Sequence, residues 1–149
     1  MAISIRETAF DPWQETLAYQ QNQLGESGKF GATASFIGTM RDFNEGDDIR
    51  AMTLEHYPGM TEKQLDKIVA EARAQWDFID SLIIHRVGDL FPNDPIVLVV
   101  VWSAHRGAAF DACRFIMEAL KSKAPFWKKE SLPSSERWVE KNTDGYANL

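Results

Sequence analysis

The sequence is poor in cysteine, in long apolar runs and in net positive charge. Cys113 is the single cysteine of 149 residues, which excludes an internal disulfide. The longest apolar run, residues 96–102, is far shorter than the ~20 residues that cross a bilayer. The start of the chain, MAISIRETAF, has no apolar core of the kind found in signal peptides. We therefore expect a cytoplasmic protein with no membrane partner.

The charge balance argues against nucleic-acid binding. Lys and Arg number 16 against 22 Asp and Glu, a formal net charge of −6, whereas nucleic-acid binders need a basic footprint. The apolar fraction of 44% and the charged fraction of 26% are those of an ordinary globular chain. The length predicts one domain over residues 1–149, with a polar tail that frays after about residue 141.

Signatures of metal and nucleotide sites are also missing from the sequence. His56, His85 and His105 are far apart and no cysteine pair exists, so no metal-binding spacing is present. Neither GxxxxGK[ST] nor GxGxxG occurs. His56 and His85 fall within strand patterns, and we expect them to be packed or hydrogen-bonded rather than catalytic.

Hydrophobic periodicity predicts strands mixed with helices. Strands are indicated at residues 2–6, 31–41, 51–57, 81–87 and 96–103, with shorter pieces around Trp127 and Trp138. Residues 96–102 are apolar on both faces, which is typical of a central strand. Gly38 inside its strand indicates a bulge or a close approach of the backbone to a neighbour.

Three amphipathic helices are predicted between these strands. The first begins at Asp11-Pro12, an N-cap followed by proline at the first helical position, and would place Trp13, Leu17 and Leu24 on its inner face. The third follows His105 and has one apolar face, made of Ala108, Ala109, Ala112, Phe115, Ile116, Ala119 and Leu120. The pattern as a whole predicts an α+β fold.

Residues 103–130, SAHRGAAFDACRFIMEALKSKAPFWKKE, form a basic segment in this acidic chain. Six Lys or Arg against three Asp or Glu give the segment a formal charge of +3, and an anionic ligand is the natural explanation. His105-Arg106 at a helix N-terminus could bind phosphate or carboxylate, or be an N-cap beside a surface arginine. Lys121 and Lys128 could converge on one ligand, or simply favour the helix dipole. Spacing leaves the first question open and, by itself, favours the helix dipole for the two lysines.

Five strings occur in the order GTMRDFNEG, LEHYPGM, HRVGDLFPND, SAHRGAAFDACRFIMEALKSKAPFWKKE and RWVE. Together they resemble the large, catalytic subunit of molybdopterin synthase over about residues 31–140. Ala104 stands where relatives often have proline, and residues 54–57 depart from the commoner Tyr-Glu-Ala-Tyr. Neither change removes a charged residue of the expected pocket.

The resemblance implies an α/β-hammerhead-like domain with an added antiparallel β-subdomain. It also implies an enzyme that converts cyclic pyranopterin monophosphate into molybdopterin by installing two sulfurs as a dithiolene. The sulfur would come from a thiocarboxylate at the Gly-Gly C-terminus of a small ubiquitin-like subunit, and two large subunits would form the centre of a heterotetramer. No metal or redox cofactor is expected for this transfer.

The resemblance further implies the site residues. Lys121 would orient or activate the thiocarboxylate, and Lys128 would stabilise developing negative charge or transfer a proton. Glu130 would orient Lys128, and the phosphate and pterin would be held with help from one or both protomers. The predicted substrate-binding residues are Thr39, Met40, Arg41, His105, Arg106, Lys129 and Glu130.

Two other functions compete with this interpretation. A homodimeric module could receive a ubiquitin-like tail without performing chemistry, in which case the groove would matter and the lysines would not. A hydrolase could act on a cyclic phosphate with His105 as the acid, although the sequence offers no clear nucleophile or metal site for it.

Overall fold

In a computed structural model, which describes residues 1–44, 47–133 and 135–139, the chain forms two four-stranded sheets, a two-stranded hairpin and helices on the faces of the first sheet. The helices are α1 (Pro12–Tyr19), which continues as a π-helical turn (Gln20–Leu24), α2 (Met60–Gln75) and α3 (Arg106–Lys123). The predicted frayed tail after residue 141 and the last residue of the RWVE string lie outside the described residues. No helix of the described part is long and apolar enough to cross a membrane.

The first sheet contains β1 (Ala2–Arg6), β2 (Ala32–Thr39), β6 (Asp80–Arg86) and β8 (Pro95–Ser103), in the order β1-β6-β8-β2. Strand β8 pairs antiparallel with β2 and with β6, while β1 runs parallel to β6. The predicted central position of the apolar strand is therefore confirmed.

Both faces of this sheet are covered, which explains why β8 is apolar throughout. Val97, Val99 and Val101 pack with the buried faces of α2 and α3. Leu98, Val100 and Trp102 point the other way, into a second cluster that includes Phe10 and Leu24. Because the side chains of β8 alternate between its two faces, this one strand contributes to two hydrophobic cores.

The start of α1 follows the prediction, but its inner face does not. The Asp11 carboxylate accepts hydrogen bonds from the backbone N–H groups of Trp13 and Gln14, as an N-cap does. Trp13 and Leu17 are 71% and 48% exposed, so their predicted inward orientation is wrong; only Leu24 is buried. The π-helical turn changes the period after Tyr19, and a 3.6-residue pattern cannot anticipate that change.

The second sheet contains β5 (Ala51–His56), β7 (Gly88–Leu90), β9 (Phe126–Ser131) and β10 (Glu136–Trp138), in the order β10-β9-β5-β7. All of its pairings are antiparallel. The two-stranded hairpin of β3 (Phe43–Asn44) and β4 (Asp47–Asp48) directly precedes β5 in the sequence. The α+β class with an added antiparallel sheet is therefore confirmed.

Gly38 is both a register shift and a point of close approach, as its place in the strand predicted. The β2–β8 register shifts between Gly38 and Thr39. A Cβ atom at Gly38 would lie 2.7 Å from Val97 Cγ1 and 3.3 Å from Phe36 Cε1. Because Val97 is buried in the core, it has little room to move away.

We expect Gly38→Ala to destabilise the protein by about 1–3 kcal/mol, because the added methyl group overpacks the β2–β8 contact. The free energy of unfolding from chemical denaturation measures the effect. Gly107→Ala is the matched control, since a Cβ there meets nothing within 4 Å, and helix propensity should make it neutral or stabilising by up to ~1 kcal/mol. Equal stability of the two variants would contradict the close contact at Gly38.

Candidate functional site

A groove of about 760 Å³ runs between the edge strand β2 and helix α3. One wall is β2 from Ala34 to Thr39, and the other is a face of α3 that includes Asp111, Met117 and Lys121. Its far end is closed by residues from three further segments: Arg41, His85, Phe126 and Lys128. The groove thus changes from an apolar floor to a cationic end.

The cationic end is created by the way α3 stops. Ala124 precedes Pro125 and takes an extended conformation, with φ −75° and ψ 138°, as residues before proline do. The chain then turns back as β9. Phe126 and Lys128 share one face of that strand because side chains two residues apart point the same way. The side chain of Lys128 therefore lies next to that of Lys121, which is in the last turns of the helix.

The amines of Lys121 and Lys128 are hydrogen-bonded to each other and together hold less charge than two free lysines. The pKa of Lys128 is lowered to about 7, mainly by burial and also by the adjacent Lys121 charge, its hydrogen bond and Arg41, while Glu130 opposes them. Burial also lowers the pKa of Lys121, but its bond to Lys128 works in the opposite direction. The pair therefore carries less positive charge than two free lysines, with burial as the largest cause for each.

His85 lies against this pair, although the sequence patterns placed it outside the site. Its ring stacks on Phe126 with centroids 3.9 Å apart and an interplanar angle of 12°. Nδ1 is 2.7 Å from the Arg86 carbonyl oxygen. Burial lowers the pKa of His85 to about 3, with a smaller lowering from Lys121 and Lys128. It is packed and hydrogen-bonded, as expected, and it also lines the groove.

Glu130 and Lys129 separate to opposite faces of β9. Glu130 is buried on the Lys128 face and accepts a hydrogen bond from Arg137 Nε at 3.0 Å. It also raises the pKa of Lys128 through charge, so it acts on that lysine while paired with Arg137. Lys129 points outward, where it forms a 2.8 Å ion pair with Glu136 and lies over the Trp138 ring.

The structure brings together only some of the predicted site residues within one chain. Thr39, Arg41, Lys121 and Lys128 line the groove. Met40 is 5% exposed and belongs to the core of the second sheet with Met52 and Leu54.

His105 and Arg106 are exposed at the opposite end of α3. Since the helix rises ~1.5 Å per residue, the backbone of Arg106 lies ~22 Å from that of Lys121. The two cationic ends of the basic segment therefore cannot contact one small ligand within a single chain.

Metal ligands do not cluster in the part of the chain described here. Among residues 1–44, 47–133 and 135–139, no three His, Cys, Asp or Glu side chains are grouped as a metal site would need. Cys113 lines the groove, and burial raises the pKa of its thiol to about 11.

Comparison with known proteins gives a consistent set of relatives. A family model described as "MoaE protein" matches residues 7–123. The molybdopterin synthase catalytic subunit of Pseudomonas aeruginosa is 52% identical over 140 residues, covering 94% of this chain and 91% of that protein. The MoaE protein of Burkholderia ambifaria superposes with a TM-score of 0.78 at 50% identity, over 97% and 94% of the two chains. The molybdopterin synthase crystal structure from Staphylococcus aureus gives a TM-score of 0.80 at 30% identity, over 91% and 94%.

We expect Lys128 to titrate at about 7 in the native chain, and Lys121→Met to raise that pKa towards the ordinary ~10.4. The variant removes both the neighbouring charge and the hydrogen bond that lower it. NMR titration of lysine labelled at Cε and Nζ measures this directly. Lys123→Met is the control, because Lys123 is exposed and pairs with Glu71. An ordinary lysine titration for Lys128 in the native chain would contradict the coupling of the two lysines.

Proposed function

This chain belongs to the MoaE family, whose relatives are molybdopterin synthase catalytic subunits, and we propose that it transfers sulfur to cyclic pyranopterin monophosphate. The donor is the C-terminal thiocarboxylate of a small ubiquitin-like subunit. The observation that carries this proposal is the partly buried Lys121–Lys128 pair at the cationic end of the groove. Both reactants are anions, and the pair with Arg41 offers them a local cationic end in an acidic protein.

The two lysines suit different parts of this reaction. Lys121, next to Lys128 at the cationic end of the groove, orients the thiocarboxylate. Lys128, with a pKa of about 7, can take up and deliver a proton at neutral pH. Glu130 tunes Lys128 through charge, while Met40 and Lys129 support the site through packing and surface pairing.

The transfer can be written with every bond accounted for. The thiocarboxylate sulfur forms a bond to a substrate carbon, and an oxygen substituent leaves that carbon with a proton supplied through Lys128. Water then cleaves the bond between this sulfur and the donor's carbonyl carbon, which returns the donor terminus as a carboxylate. Two such transfers supply the dithiolene.

The groove also suits an extended donor tail. Six consecutive β2 residues, 34–39, line it, so the bound segment runs beside a strand edge. A Gly-Gly terminus carries no side chains and can pass between β2 and α3, where a bulkier tail would be blocked. Thr39 and Arg41, at the end of that path, are proposed ligand contacts.

A second protomer is proposed to supply His105 and Arg106. Both are exposed and ~22 Å along α3 from the lysines of their own chain. In a two-fold dimer, the N-terminus of one α3 can meet the groove of its partner. The guanidinium of Arg106 would then bind the substrate phosphate in bidentate fashion.

The lysine pair also separates this proposal from a module that binds a tail without chemistry. Such a module needs a cation for the terminal carboxylate, but it has no use for a buried amine that titrates near neutrality. We place the reaction in the cytoplasm, in keeping with the expectation from the sequence.

We expect Lys121→Ala to lower sulfur transfer by roughly 10²–10³-fold, the usual loss when one fixed charge-stabilising group is removed. The assay combines the purified protein, thiocarboxylated small subunit and cyclic substrate. Thermal unfolding and binding of the small subunit should stay close to native. Lys123→Ala, two residues away and exposed, is the matched control. Native turnover by Lys121→Ala would refute the proposed role of the pair.

Mixed dimers test the origin of Arg106. Homodimers of Lys121→Ala or Arg106→Ala should be inactive, whereas a dimer with one variant of each kind should keep about half of the native activity, because one of its two sites has both residues intact. Differently tagged protomers allow its purification. If each site used Lys121 and Arg106 of the same chain, the mixed dimer would be as inactive as the homodimers.

A further inference from the structure

His85 is a buried histidine whose position connects it to the reaction. It is the penultimate residue of β6 and is 4% exposed. It lines the closed end of the groove together with Lys121 and Lys128. A neutral histidine in a core is ordinary, but one that forms the wall of a cationic pocket has consequences for the charges beside it.

The hydrogen bond of His85 fixes its tautomer. Nδ1 lies 2.7 Å from the Arg86 carbonyl oxygen, and a carbonyl oxygen can only accept. Nδ1 therefore carries the hydrogen, and in a neutral ring Nε2 keeps its lone pair. Stacking on Phe126, with ring centroids 3.9 Å apart, holds the plane of the imidazole. Nε2 is then the one ring nitrogen left for the groove.

The charged and titratable groups around His85 come from several elements. Lys121 approaches from α3, Lys128 from β9 and His56 from β5, and each disfavours protonation of His85. The lysines in turn respond to Arg41, Glu118 and Glu130. With burial as the largest cause, the pKa of His85 falls to about 3. The imidazole is therefore neutral wherever the lysine pair titrates.

We propose that His85 is a positioning residue for sulfur transfer: its neutral imidazole, locked with hydrogen on Nδ1, presents the Nε2 lone pair to the amines of Lys121 and Lys128 at the cationic end of the groove. A protonated ring would add a further cation to the pocket. An apolar ring would remove the acceptor that favours a charged amine. The neutral imidazole thus adds an acceptor, and no further cation, to the cationic end of the groove.

This role rests on the sulfur transfer proposed above, but its first test does not. Nitrogen NMR of the imidazole in the full native chain, without donor or substrate, reports the tautomer and any titration. We expect hydrogen on Nδ1, none on Nε2, and no titration between about pH 5 and 9. A ring that titrates near the ordinary ~6.5, or one with hydrogen on Nε2, overturns the inference even if sulfur transfer is intact.

The second test follows Lys128 by NMR titration in variants. His85→Phe keeps a flat ring for stacking but loses Nε2, so the pKa of Lys128 should fall by roughly one pH unit, and the pH dependence of transfer should move the same way. His85→Gln retains a neutral acceptor and should stay near native. His56→Phe is the matched control, because His56 packs on the same Phe126 ring. If the Lys128 titration is unchanged in folded His85→Phe, His85 has only a packing role and the inference is overturned.

The outcomes separate the two proposals. If the native protein fails to transfer sulfur while the imidazole shows the expected tautomer, the proposed function falls and the locked ring stands. If His85→Phe does not fold, the tautomer measurement on the native chain still decides the inference, since it needs no variant.

Discussion

The contact between the amines of Lys121 and Lys128 is the interaction on which this site depends. Two partly buried lysines in contact disfavour each other's charge, and burial lowers the pKa of both. The protein imposes that contact by ending α3 at Ala124-Pro125 and returning the chain as β9. Any change to the helix end or to the strand's facing would separate Lys121 from Lys128. The chemistry of the pocket is therefore built from backbone geometry more than from unusual residues.

The rigidity that holds the pair comes from the first sheet. Strand β8 contributes side chains to both cores, and α3 packs on one of them through its buried face. Cys113, Met117 and Leu120 belong to that core and also line the groove. Because core and site share these residues, the position of Lys121 is fixed by the same contacts that stabilise the fold. A groove wall made of core residues has little freedom to collapse.

Helix α3 places charge at both of its ends, and these charges serve different purposes. Lys121 and Lys123 lie in the last turn, where the helix dipole favours cations. His105 and Arg106 lie at the other end, where the free N–H groups favour an anion. The length of the helix separates them, which is why the proposed anion site draws on a second chain.

The sequence by itself determined much of this arrangement. It predicted the central strand at residues 96–102, the close approach at Gly38 and the Asp11 cap, because periodicity and turn chemistry are properties of adjacent residues. Lys121 and Lys128 were assigned to the site by the family resemblance, since local spacing by itself favoured a solvated helix end.

Tertiary structure decided the rest. Neighbouring side chains of a strand point to opposite faces, so Lys128 and Lys129 face opposite sides of β9. Which of the two faces the groove depends on how β9 pairs with its partner strands. His85 lines the groove because β9 and α3 lie against the end of β6, and these segments are distant from one another in the sequence. Arg106 lies far from Lys121 because the length of α3, and not proximity in the sequence, sets the distance between the two residues.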